Sequence, residues 1–98
     1  MSTNKLEILA KIEPDGATVK VVGRDAWALQ QLIEAGKRGC TPIDRPAPRW
    51  AHYVYKLRGM GFVIETIHEP HFGPFAGTHA RYVLRSRVTI LREMGVAA

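Results

Sequence analysis

Apolar and polar residues alternate over positions 5–12, with Leu6, Ile8, Ala10 and Ile12 on one side and Lys5, Glu7, Leu9 and Lys11 on the other. A period of two is that of a strand with one buried face. The alternation stops at Glu13-Pro14-Asp15-Gly16 and resumes over 17–22. Proline presets φ, aspartate bonds its own backbone and glycine takes positive φ, so this segment reads as the turn of a hairpin. A single strand at 18–22 is the alternative, should the first strand fray. From Ala26 the period changes: Ala26, Leu29, Leu32, Ile33 and Gly36 share one arc, and Gln30, Gln31 and Glu34 lie opposite. That spacing predicts a helix over 24–36, with Asp25 as N-cap or first-turn carboxylate and Gly36 as its stop. Trp27 falls on the polar arc. Either the amino-terminal hairpin folds over it, or it belongs to a partner or dimer surface.

Residues 37–40 are a charged, glycine-containing loop, and Thr41-Pro42 has the hydroxyl and the proline of a helix opening. A short helix over 41–46 is expected, since Pro46 and Pro48 cannot continue it. Pro48 can begin the next helix, 48–59, although Ala47 is a poor cap. Within it Trp50, Val54 and Leu57, with Tyr53 at the margin, form an apolar stripe. Arg49, His52 and Lys56 point the other way, flanked by Tyr55. The β-branched and aromatic run 62–67 predicts a strand, 69–78 has the proline and glycine density of a loop, and 80–84 reads as the returning strand. Residues 86–98 are expected to be a tail, with 88–91 readable as strand or short helix and the last residues frayed.

Composition adds a partner class to this outline. The 98 residues, 46% hydrophobic and 23% charged, suit a single small domain. The formal charge is +5, and it is segregated. Residues 1–35 carry four Lys/Arg against five acids, a balance of −1, whereas residues 36–92 carry ten against three, a balance of +7. An anionic partner for the second half follows. Cys40 is the single cysteine, which excludes an internal disulfide and a cysteine-based zinc site. Charges interrupt every apolar run of the amino terminus, so neither a signal peptide nor a membrane span is expected there, and a cytoplasmic location is the default.

A helix, a short helix, a third helix and a strand-loop-strand is the order of a helix-turn-helix followed by a wing. The run 23–87 resembles small bacterial and phage winged-helix domain proteins over about two thirds of the chain. The likeness is most specific in GCTPID, YVYKLRGMGFVIET and GTHARYVL. The resemblance implies an α+β winged helix with three helices, a two-stranded carboxy-terminal wing over 62–85 and an amino-terminal strand or hairpin. It also implies binding of double-stranded DNA, with 53–58 in the recognition helix and 72–79 in the wing. Arg49 and His52 are then the candidates for base edges, and Lys56 and Arg58 for phosphates. Arg45, Tyr55, His79 and Arg81 complete the expected DNA-binding set, and Arg85 and Arg87 support the wing or touch the backbone. The function expected is that of a small transcriptional regulator.

Other chemistries leave weaker traces. His68, His71 and His79 are close in the expected hairpin, but no acid or cysteine has a metal-ligand spacing to them, so no metal is expected. Cys40 has no assignable base, and the glycines fit no phosphate-cradling motif, so neither an enzyme nor a cofactor is expected. The rival function is a protein-interaction module, monomeric or homodimeric, that uses Trp27, Phe72 and Phe75. RNA binding is a third reading, weakened by aromatics that do not lie on a sheet face.

Overall fold

Two alternating runs, two amphipathic runs and a basic carboxy-terminal half fold around one core in the computed structural model, which describes residues 6–74 and 76–95. In chain order the elements are β1 (Glu7–Glu13), β2 (Thr18–Val22), α1 (Gly23–Ala35), a single 3-10 turn (Gly36–Arg38), α2 (Trp50–Gly59), β3 (Ile64–His71), β4 (Gly77–Leu84) and β5 (Arg87–Met94). No helix among the described residues is long and apolar enough to cross a membrane.

β1 and β2 form an antiparallel hairpin in which Ile8 faces Val21 and Ala10 faces Val19. Ile8, Ala10 and Val21 are fully buried, as the period of two requires. α1 follows without a linker and contributes Ala26, Leu29 and Leu32 to the same core. It closes at Gly36, whose φ of 57° suits glycine and whose N–H donates to Leu32 O.

The carboxy-terminal segment corrects the expectation of a tail over 86–98. Residues 87–94 are β5, which pairs antiparallel with β1 and gives a three-stranded sheet in the order β2-β1-β5. Val88 lies opposite Ile12 and Ile90 opposite Ala10, and Val88 packs against the core. Of the two readings of 88–91 the strand holds, and its pairing with β1, some eighty residues away, is what extends it over 87–94. Val96–Ala98 lie outside the described residues.

The middle of the chain corrects the expected helix over 41–46. Thr41 Oγ1 accepts hydrogen bonds from the N–H groups of Ile43 and Asp44, and Thr41 N–H donates to Asp44 Oδ1 at 2.8 Å. This is a helix start with reciprocal caps. Arg45 N–H completes one helical bond to Thr41 O at 3.0 Å, but Pro46 has no N–H for the next, so the segment remains a turn. α2 begins two residues after the expected 48, at Trp50, because Arg49 sits in the left-handed region at φ 67°. The described residues therefore form two α-helices, not the expected three, and five strands, of which β3 and β4 make a separate two-stranded sheet.

β3 and β4 are longer than the sequence implies and reduce the intervening loop to 72–76. Pro70 is accommodated inside β3 because that strand pairs with β4 alone, and its missing N–H falls on the open edge. β4 is tied to the helical half by a one-residue bridge in which Cys40 and Tyr82 exchange both backbone hydrogen bonds, at 2.9 and 2.8 Å.

Candidate nucleic-acid interface

Trp50, Tyr53, Val54 and Leu57 are buried, and they fix which face of α2 looks outward. Trp50 is the anchor. Its ring stacks on Tyr82 at 6.0 Å and lies 5.5 Å from Trp27, and its Nε1–H donates to Arg45 O at 2.7 Å. Trp27 is thus partly covered by Trp50 of α2. With this stripe turned inward, Arg49, His52 and Tyr55 are exposed, Tyr55 to 75%.

The other expected DNA contacts are engaged within the protein. Lys56 Nζ lies 3.0 Å from Asp25 Oδ2, so it leans toward α1. The signal missed was the Asp25 carboxylate, buried in the first turn of α1, where a cation has to answer it. Arg58 donates from Nε and Nη2 to Ile64 O and from Nη2 to Thr66 Oγ1, which fastens the end of α2 to the base of β3. Arg45 bonds the Gln31 amide oxygen and lies 3.3 Å from Glu34 Oε1. Arg81 is held by Glu69 at 2.6 Å, by Asp44 at 3.7 Å and by Arg38 O at 3.0 Å. His79 lies between Glu69, 3.1 Å from Nε2, and His71, 3.0 Å from Nδ1.

The eight residues thus divide by their internal bonds, with Lys56 and Arg58 exposed although they are also bonded within the protein. Arg49, His52 and Tyr55 are outward and accept no ion pair among the described residues, while Arg45, Lys56, Arg58, His79 and Arg81 brace the structure that presents them. Lys37 and Arg38, which sequence reasoning left in a loop, are exposed on the 3-10 turn and make no ion pair among the described residues. All three acids of the basic segment are paired with arginines: Asp44 and Glu69 with Arg81, and Glu65 with Arg85.

The ionisation of this network follows from its contacts. Hydrogen bonding from Arg81 holds the Glu69 carboxyl below its ordinary range and raises Arg81 in turn. Partial burial works to raise Asp44, but the hydrogen bonds from Thr41 and the charges of Arg81 and Arg45 outweigh it and leave that carboxyl low. Cys40 is fully buried and its thiol is pushed up to about 11, so a nucleophilic role has no support in its surroundings. His71 and His79 stack at 5.2 Å, whereas His68, two strand positions before Pro70, lies on the opposite face of β3 from His71. Among the described residues no group of three His, Cys, Asp or Glu is placed to hold a metal ion.

No curated protein and no solved structure matches the chain. A family model described as a winged helix domain matches residues 18–94, from β2 through β5. With helix, turn, helix and two-stranded wing in that span, the chain belongs to the winged helix domain family.

Proposed function

We propose that the protein binds double-stranded DNA by placing α2 in the major groove, and that it acts as a small transcriptional regulator with no catalytic activity of its own. Winged helix domains are typically DNA-binding, and one observation carries the reading to this chain. The outward stripe Arg49, His52 and Tyr55 is left free of internal ion pairs on a helix whose opposite side is locked into the core by Trp50, Val54 and Leu57. A helix with its side chains is about as wide as the major groove, and donors at its amino-terminal end reach base edges. Arg49 is suited to guanine O6 and N7, with His52 and Tyr55 beside it. Lys37, Arg38 and the surplus positive charge of residues 36–92 favour approach to phosphate. A lone, buried thiol suits a reducing cytoplasm.

The protein-interaction reading loses support at Trp27, which packs on Trp50, and Phe75 lies outside the described residues. Titration of labelled duplex and single-stranded DNA at several salt concentrations separates the two readings. Salt-dependent preference for duplex is expected, with Arg49→Ala costing about 1–3 kcal/mol of binding. Absence of duplex binding at low salt, or an Arg49→Ala/His52→Ala protein with unchanged affinity, would overturn the proposal.

A further inference from the structure

We infer that Asp25 makes an autoinhibitory contact: its carboxylate, in the first turn of α1, holds Lys56 of α2 in place of a DNA phosphate and so weakens the grip on every duplex. This inference rests on the DNA-binding reading and names a limit built into the same surface.

Lys56 stands four residues after His52 on α2, a spacing that puts the two side by side on the helix surface. At that position it would be the phosphate contact beside the outward stripe. Its Nζ lies instead 3.0 Å from Asp25 Oδ2. Among the described residues this is the one ion pair that α2 makes. Arg58, two positions on, donates to Ile64 O and Thr66 Oγ1, which are neutral, and keeps its full charge.

The two ends of the pair differ in exposure. The Asp25 side chain is 12% exposed and that of Lys56 47%. A carboxylate so far out of water needs a cation, and pulling Lys56 away would leave it uncompensated. A phosphate at the surface is screened by water and salt, and it stabilises Lys56 by less than that loss costs. The pair therefore survives contact with a duplex, and a phosphate meets a dipole there instead of a positive charge. The acids of the basic segment do not compete for this role, because Asp44 and Glu69 are held by Arg81 and Glu65 by Arg85. Asp25 belongs to residues 1–35, whose balance is −1, and it reaches into the segment whose balance is +7.

The test is the salt dependence of affinity for a labelled duplex of mixed sequence, measured with the full chain after circular dichroism has shown each variant folded. Asp25→Asn keeps the shape of the side chain and frees Lys56. It is expected to bind more tightly at low salt and to lose roughly 3.5-fold more affinity than wild type between about 50 and 200 mM salt, the effect of one added phosphate contact. Lys56→Gln should leave the salt slope of wild type unchanged and should return that of Asp25→Asn to the wild-type value. Should Asp25→Asn not fold, Lys56→Gln alone decides: an unchanged slope supports the inference, and a shallower one shows that Lys56 already holds a phosphate and overturns it. A steeper slope for Asp25→Asn that persists in the double variant also overturns it, since net charge alone would then be the cause. An unchanged slope for Asp25→Asn, with binding still weakened by Arg49→Ala, overturns the role of Asp25 and leaves the α2 reading intact. No binding of duplex by wild type overturns both.

Discussion

Trp50 touches Trp27 of α1, Tyr53 of its own helix and Tyr82 of β4, so a single side chain sets how the wing and the two helices meet. Its burial is legible from the spacing Trp50, Val54, Leu57. The bond from its indole to Arg45 O is not, because that depends on where a proline-rich loop returns. Cys40 shows the same division. Its lone occurrence excludes a disulfide, yet only the bridge to Tyr82 explains why it is fully buried. With no exposure and a thiol pushed up to about 11, Cys40 should resist thiol reagents in native buffer at neutral pH and react fully in denaturant. Labelling followed by mass spectrometry checks this; rapid native labelling would show that the Cys40–Tyr82 bridge opens readily.

At the scale of elements, helices and strands built from local periodicity are readable, and those built from distant pairing are not. α1 and α2 repeat apolar residues at helical spacing, and β1 alternates. β5 was readable at 88–91 as strand or short helix, and its full extent and its partner depend on β1, which no neighbouring residue announces. Thr41 and Asp44 carry a true helix-start signal, but Pro46 removes the donor needed to extend it. The charged face of α2 was half legible: its outward centre at His52 and Tyr55 follows from the stripe, whereas the pull of Asp25 on Lys56 requires the packing of α1.

The joint between the helical half and the wing is tightest at Gly39. A Cβ there would lie 2.6 Å from Tyr82 O and 2.8 Å from Val83 Cγ2, at a φ of 74°. Gly36 also has positive φ, yet nothing lies within 4 Å of its Cβ position. Gly39→Ala should therefore cost more than about 2 kcal/mol, and Gly36→Ala about 1 kcal/mol, in urea unfolding. Equal costs would mean that the wing shifts freely against the Cys40 segment.

For the whole molecule, the wing and the turn before α2 are joined by carboxylates held below their ordinary range. Asp44 and Glu69, with ordinary values of 3.8 and 4.5, are lowered in the folded state. A lowered carboxylate contributes stability that is present above its unfolded value and lost as pH falls through its folded one. Unfolding midpoints should thus be insensitive to these two groups at neutral pH and fall below about pH 4.5. Asp44→Asn with Glu69→Gln should flatten that acid limb; an unchanged limb would place acid sensitivity elsewhere.

Under the proposed function the same network leaves a small recognition surface on a molecule of +5: several of its charges hold α2 and the wing in place, and Arg49, His52 and Tyr55 remain outward. The most direct measurement is an amide and side-chain NMR titration of the protein with duplex DNA. Shifts centred on Arg49, His52 and Tyr55, with the Lys56–Asp25 pair intact, are expected. Shifts confined to the open face of β2-β1-β5, with α2 silent, would contradict the assignment of α2 as the recognition helix.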